Sequence, residues 1–392
     1  MKEMTRTGLE KIIGGQQANL LRGTRVGLIV NPASVDSKFN HAADLFAAQS
    51  GFKLTTLFGP QHGIRGETQD NMIEWRGFTD PRTGIPAYSL YGETRIPTPE
   101  MLADVDTLVF DVQDVGTRVY TFIYTMALSM QACAREGKRF VVLDRPNPIG
   151  AVTDGNLLEP GFTSFVGMFP IPMQHGMTAG ELALMFNRAF GIGCELEVVA
   201  LDGWRRDMQF EQTGLPWVLP SPNMPTPDTA RVYPGGVIFE GTNISEARGT
   251  TRPFELIGAP WVDARSLAAH MNSLGFEGAF FRECWFQPTF HKWAGETCGG
   301  VQIHISDPAR FRPYPACLCL LAAIRAQSPG RFAWKQPPYE YEFEKLPIDL
   351  ILGTDKIRLA IERGDDPREA AAGKHGDLDS FLEMRVEFLL YE

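Results

Sequence analysis

Short, uninterrupted apolar runs recur along the first half of the chain, separated by stretches with apolar residues at helical spacing. Residues 26–30 form a run that ends at Asn31-Pro32, and residues 54–58 a run that ends at Gly59-Pro60. Residues 107–112 and 140–143 supply a third and a fourth. Strands buried on both faces read as continuous apolar runs, whereas half-solvated strands alternate. Between the runs, residues 40–49 gather Ala42, Ala43, Leu45, Phe46 and Ala47 on one face, and residues 120–136 have helical composition. Thr98-Pro99 predicts an N-cap followed by proline at the first helical position. Thr178-Ala-Gly-Glu181 has the capping-box pattern and predicts a helix through about Phe190. Residues 196–201 predict a fifth strand. Strands alternating with helices in this way predict an α/β domain with a parallel sheet covered on both faces.

The pattern then changes. Residues 203–234 are proline-rich but carry Trp204, Trp217 and Tyr233, so an ordered connector is expected rather than a floppy linker. Beyond Gly235-Gly236 the alternation weakens. Asp263 caps a predicted helix through Ser273, with Gly275 as its stop. Val301, Ile303 and Ile305 share one face of a predicted strand, residues 315–327 predict a helix, and residues 381–391 predict a docked apolar end. Two domains are expected: residues 1–235 around the parallel sheet, and 236–392 as a smaller α+β unit.

Composition narrows the function classes. Thirty-seven basic against forty-seven acidic residues leave a net charge of −10, which argues against a general nucleic-acid binder, because phosphate backbones require a basic face. Six cysteines without CxxC spacing predict buried free thiols rather than a disulfide scaffold. That fits a reducing compartment. The first 21 residues lack a secretory pattern and no run of about 18 apolar residues occurs, so no membrane span and a cytoplasmic protein are expected. GxGxxG, GxxxxGK[ST], HExxH and GxSxG are all absent, which removes the sequence support for dinucleotide, P-loop, zincin and nucleophile-elbow chemistry.

Ligands of open parallel sheets bind beyond the carboxyl ends of the strands. Asn31 and Ser34 follow the first run, and Gln61, His62 and Glu67 the second. Asp111, Gln113, Asp114 and Arg118 follow the third, and Asp144, Arg145 and Asn147 the fourth. His62 is either a turn histidine or a donor tuned near neutrality. Asp111 and Asp114 either hold loop amides or act chemically. Arg118 and Arg145 can clamp an anion in two-pronged fashion or pair with those aspartates. His175 precedes the capped helix, whose amino end favours anions. The densest polar segment runs from Glu240 through Asn243, Glu246 and Arg248 to Arg252, bracketed by Phe239 and Phe254, and is expected as the lip of a site facing the sheet. A metal held by His62, Asp111, Asp114 and His175 is an open alternative, although their spacing is not diagnostic.

Six segments occur together and in order: Gly59-Pro60 with His62-Gly63, Val109 to Gly116, Leu143 to Pro148, His175 to Thr178, Ser221 to Pro225, and Phe239 to Asn243. In this set the chain resembles the exo-β-N-acetylmuramidase family, long described as a domain of unknown function. The likeness is strongest from about Val26 to Trp261. The resemblance implies a Rossmann-like N-terminal domain with a parallel sheet, a smaller α+β C-terminal domain, and a site in the cleft between them. It implies an exo-acting glycosidase that releases N-acetylmuramic acid from non-reducing ends of peptidoglycan-derived glycans. No nucleotide cofactor and no resident metal are expected, and the partner is a small glycan, not nucleic acid or a membrane.

Many relatives have Glu directly before the motif histidine, where this chain has Gln61. An amide cannot exchange a proton as a carboxyl does, so Glu67, Glu93, Asp111, Asp114 and Glu240 become the candidate acids. Glu240 is the expected acid, because Phe239 beside it should leave it partly desolvated. Asp111 or Asp114 is its expected partner carboxylate. His62 and His175 are expected to hold sugar hydroxyls or the acetamido group, and Arg118, Arg145 or Arg248 the lactyl carboxylate. Two alternatives are a sugar-binding protein that lost catalysis through Gln61, and a metal-dependent hydrolase or transferase on an acidic sugar.

Overall fold

The computed structural model describes residues 4–66, 68–69, 72–372 and 377–392. Seven strands form the main sheet: β1 (Arg25–Val30), β2 (Lys53–Gly59), β3 (Phe78–Thr79), β4 (Pro86–Ser89), β5 (Thr107–Asp111), β6 (Arg139–Leu143) and, after the two-stranded ribbon β7 (Asp154–Leu157) and β8 (Pro172–Gln174), β9 (Glu195–Val199). Their order is β3-β4-β2-β1-β5-β6-β9. All neighbours run parallel except β3, which pairs antiparallel with β4. Every residue of β5 is buried, which is what a central strand with both faces covered requires.

The helices flanking this sheet begin with α1 (Gly8–Ile13), α2 (Ala42–Ala47), α3 (Phe122–Glu136) and α4 (Ala179–Arg188). Thr178 and Glu181 satisfy each other's backbone amides as a capping box at the start of α4. The turn expected to begin a helix at Thr98-Pro99 does not propagate. Leu102 N–H reaches Thr98 and Pro99 carbonyls, and Ala103 N–H reaches Glu100, before the chain extends into β5. One turn fixes many dihedrals for few bonds, so it remains a turn.

The proline-rich connector is ordered and contains an element that its proline content concealed. Helix α5 (Pro227–Gly236) has Thr226 as N-cap and Pro227 in its first turn, with Pro234 inside it. It leads directly into a 3-10 turn, Val237–Gly241. The division expected at 235/236 falls at the last residues of α5. The C-terminal part has an antiparallel sheet ordered β10 (Leu256–Ala259), β12 (Cys298–Ile305), β11 (Ala279–Phe286). Its helices begin with α6 (Ala264–Ser273), α7 (Pro313–Gln327) and α8 (Pro347–Leu352). Asp263 caps α6 as its sequence implies. One apolar cluster runs from the N-terminal sheet through α5 and α7 into α8, so the two parts share a continuous core. All six cysteines are free and buried. Among the described residues no helix is long and apolar enough to cross a membrane.

The strand order reverses between β1 and β5, the place where doubly wound sheets usually open a crevice. Here the connector fills it. Asn31 Nδ2 donates to the Pro220 carbonyl at 3.2 Å. Phe210 and residues 215–218 close over Ala33, Val35, Gln113 and Arg145. The main polar hollow lies to one side, against the ends of β2 and β5.

Candidate active site

The hollow is a polar recess of about 440 Å³ counted out to its open mouth, part of it solvent. Gln61 and His62 reach it from the turn after β2, and Val119 to Phe122 from the segment between β5 and α3. Ser221, Asn223 and Met224 come from the connector, Tyr233 from α5, and Glu240 and Arg248 from the polar segment beyond it. Tyr339 and Glu340, from the chain between α7 and α8, complete the wall. Strand ends and the polar segment therefore face one another, and a third segment from the C-terminal part joins them.

Three non-glycine residues of this wall adopt left-handed backbone: His62 at φ 72°, Phe254 at φ 64° and Glu340 at φ 45°. Such positions cost of order 1–3 kcal/mol each and collect where the surrounding structure enforces a functional geometry.

The two carboxyl groups in the hollow have opposite surroundings. Arg248 Nη2 donates to Glu240 Oε1 at 2.6 Å, and the Tyr339 hydroxyl donates to Oε2 at 2.8 Å. Burial works against the charge of Glu240, but the guanidinium overrides it and holds the carboxyl below its ordinary range. Behind Arg248, buried Glu246 takes a 2.7 Å bond from Lys292 Nζ and is held down at about 2, against its burial, chiefly by the Lys292 and His291 charges. Glu340 is helped only by the more distant charge of Lys335. Its oxygens accept from two neutral donors, Gln61 Nε2 at 3.1 Å and the Tyr91 hydroxyl at 2.7 Å. Burial, with the charge of Glu240 adding to it, raises the Glu340 carboxyl to about 7 despite those two bonds. Of the two, Glu340 is the group able to carry a proton near neutrality, and Glu240 stays ionised.

This reverses the expected role of Glu240, which burial alone suggested as the acid. Sequence reasoning missed Arg248 as its counter-charge and missed Glu340 altogether. A signal was present: Pro337-Pro338 followed by Tyr339-Glu340-Tyr341-Glu342-Phe343 sets acidic and aromatic residues in a turn between two helices.

Several other expected site residues lie outside the hollow. Asp111, fully buried, takes Arg145 Nε at 2.6 Å and Nη2 at 2.9 Å, so the two neutralise each other. Arg118 is buried and spends its guanidinium on the carbonyls of Asn156, Ile171, Ile351 and Leu352, with no carboxylate bonded to it among the described residues. Asn31 and Asn147 are consumed by loop backbone. Gly116, at φ 79°, is obligatory beside Asn147, because a Cβ there would lie 2.4 Å from Asn147 Oδ1. Asp114 accepts from Gly116 N–H at 2.7 Å and stands 3.4 Å from His175 Nε2; both side chains lie beyond the lining. Asn243 bonds the backbone of Arg331 and Ala333. His62 does line the hollow, with Nδ1 2.8 Å from the Thr68 carbonyl. Glu67 lies outside the described residues. Of the four side chains considered for a metal only Asp114 and His175 stand together, and among the described residues no group of three His, Cys, Asp or Glu side chains could hold an ion.

A family model described as the N-terminal domain of exo-β-N-acetylmuramidase NamZ matches residues 26–228, and its C-terminal counterpart matches residues 231–391. The chain belongs to the NamZ family. It is 44% identical over 391 residues to the peptidoglycan β-N-acetylmuramidase NamZ of Bacillus subtilis (strain 168), covering 100% of this chain and 92% of that one. Two solved structures of DUF1343 family proteins from Bacteroides fragilis are also similar. One has a TM-score of 0.88 at 37% identity and covers 99% of each chain. The other has a TM-score of 0.78 at 29% identity and covers 100% of this chain and 99% of its own. The NamZ likeness thus extends through the segment that carries Glu340.

Proposed function

We propose that this NamZ-family chain is an exo-acting glycosidase that releases N-acetylmuramic acid from the non-reducing ends of peptidoglycan-derived glycans, with Glu340 as proton donor and Glu240 as its ionised partner. Glycoside cleavage needs one carboxylic acid to protonate the departing oxygen and one carboxylate to attack carbon or activate water. Two carboxyls driven apart in protonation by their surroundings meet that need. The carrying observation is the contrast within one hollow: Glu340 is raised to about 7, and Glu240 is held down by Arg248.

In this reading Glu340 gives its proton to the glycosidic oxygen as the bond to the anomeric carbon breaks. Glu240 supports the oxocarbenium-like centre from its own side, as nucleophile or as base. Ser221, Asn223 and His62 offer hydroxyl, amide and imidazole groups to sugar hydroxyls and the acetamido group. Arg248 is the guanidinium within reach of the lactyl carboxylate. The family membership and the Bacillus subtilis relative's activity support a catalytic protein over a binding-only one, and the separation of His62 and Asp111 from the Asp114–His175 pair weighs against a metal held by these four. The test is turnover of a muramic-acid disaccharide, whose sugar leaving group needs protonation, by wild type, Glu340→Gln and Glu240→Gln. Wild type should release N-acetylmuramic acid and both variants should be severely impaired. An inactive wild type would overturn the activity, and a fully active Glu340→Gln would overturn its role.

A further inference from the structure

The surroundings of Glu340 extend past its two immediate donors. Gln61 Nε2 donates to one oxygen, while Gln61 Oε1 accepts from the Thr121 hydroxyl at 2.7 Å. Thr121 stands at the N-cap of α3, where a threonine usually accepts from its helix's own amides and contributes roughly 0.5–2 kcal/mol. Here it makes no capping bond; its hydroxyl is turned to Gln61 instead. The amide is therefore fixed by a group that would otherwise stabilise the helix. The second donor, Tyr91, is fully buried, with its ring edge-on to Tyr341 and tilted against Phe165. Glu340 itself sits on left-handed backbone next to Tyr341 at φ 68°, so its direction is enforced from the main chain as well.

We propose that Gln61 and Tyr91, with Thr121 behind Gln61, are positioning residues that lock the Glu340 carboxyl plane for proton delivery into the hollow. The proposal rests on the reading of Glu340 as the acid. An amide suits this place better than a carboxylate would. It accepts from Thr121 and donates to Glu340 at once, whereas a carboxylate could only accept and would repel an ionised Glu340. The charged and titratable groups that act on Glu340 are Glu240 on the 3-10 turn, Tyr233 on α5, Tyr91 after β4, and Tyr339 and Lys335 on its own segment. Glu240 is the anion among them, and its charge is already engaged by Arg248. Gln61 and Tyr91 both favour the ionised form, so losing either moves Glu340 further up.

The experiment compares Gln61→Met, Tyr91→Phe and Thr121→Val with wild type on two substrates, a β-N-acetylmuramide with a nitrophenolate leaving group and a muramic-acid disaccharide with a sugar leaving group. Rates are followed as kcat and KM across pH, and folding by circular dichroism. Protonation matters for a sugar alcohol and little for a nitrophenolate. The expected result is a kcat loss of about tenfold or more on the disaccharide, a much smaller loss on the nitrophenyl substrate, a KM nearly unchanged, and an alkaline limb moved up by about one pH unit. Equal losses on both substrates with an unmoved limb would overturn the proposal. Tyr91→Phe keeps the ring and its packing, so it decides the matter if Gln61→Met does not fold. Glu340→Gln run in parallel separates the two readings. Activity retained there on the disaccharide overturns the acid assignment itself. A dead Glu340→Gln beside unaltered Tyr91→Phe and Gln61→Met overturns only the positioning.

Discussion

The Arg248 guanidinium meets the Glu240 carboxylate at 2.6 Å with both side chains at least 95% removed from solvent. Removing one member of such a pair leaves a buried charge without its partner, so its effect extends beyond the lost contact. Arg248 keeps Glu240 ionised, and activity that needs the ionised form is lost as pH falls through the Glu240 pKa. Arg248→Gln should therefore move the acid limb of kcat/KM upward, by about one unit or more. Glu240→Gln should lower kcat by at least about a hundredfold at every pH. An acid limb unmoved in Arg248→Gln would show that Glu240 is not the group titrating there.

Glu340 sets the other limb. Its carboxyl, raised to about 7, must be protonated to act, so turnover of a sugar leaving group should be full in mildly acid solution and fall as pH rises through about 7. The bell therefore lies on the acid side of neutrality. A rate that stays level from pH 6 to pH 9 on the natural linkage would remove Glu340 from the role of acid.

The same shift makes Glu340 a stability liability. Its folded pKa of about 7 lies above the ordinary 4.5, so the folded state binds the proton more tightly than the unfolded one. Stability is therefore highest below the unfolded pKa, declines as pH rises from about 4.5 to 7, and is lowest above that window. Glu340→Gln removes the titration. Thermal melts should show the variant gaining on wild type between pH 5 and pH 8, by up to roughly 3 kcal/mol. A gain independent of pH would mean that the carboxyl is not held in this way.

Much of the sheet was legible because β1, β2, β5 and β6 are continuous apolar runs, the first two closed by Asn31-Pro32 and Gly59-Pro60. Short-range patterns also gave α4 and α6 through their capping residues. Residues 203–234 read as connector, in which Pro227 and Pro234 masked α5, whose cap, Thr226, is plain once the proline is placed in the first turn. The site was legible only in part. Gln61, His62, Glu240 and Arg248 follow from strand ends and polar density, which sequence displays directly. Glu340 does not, because its chemistry arises from burial against Tyr91 and Gln61, 249 and 279 residues away. The same limit left Arg118 and Arg145 open between a substrate and the nearby aspartates: Arg145 pairs with Asp111, whereas Arg118 faces a set of carbonyls, a choice decided by the packing of distant segments.

Arg118 gives the sharpest test of that distinction. Its guanidinium reaches the Asn156 carbonyl of β7 and the Ile171 carbonyl before β8 at 2.7 and 3.0 Å, and the Ile351 and Leu352 carbonyls at the end of α8 at 3.1 and 2.8 Å. One side chain thus ties the N-terminal part to the last turn of a C-terminal helix, where carbonyls lack partners and a cation is favoured. Arg118→Met would leave the Asn156, Ile171 and Ile351 carbonyls to find other donors, while Leu352 keeps its 2.8 Å bond from Asn156 Nδ2, and an unmet buried acceptor costs about 1–3 kcal/mol. The variant should lose on the order of 4 kcal/mol or more in denaturant unfolding. KM for the muramide should stay within about twofold in whatever fraction remains folded, because no atom of Arg118 lines the hollow. Arg118→Lys, which keeps the charge but not the planar fork, should recover only part of the stability. A stable Arg118→Met with a raised KM would place this arginine on the substrate after all.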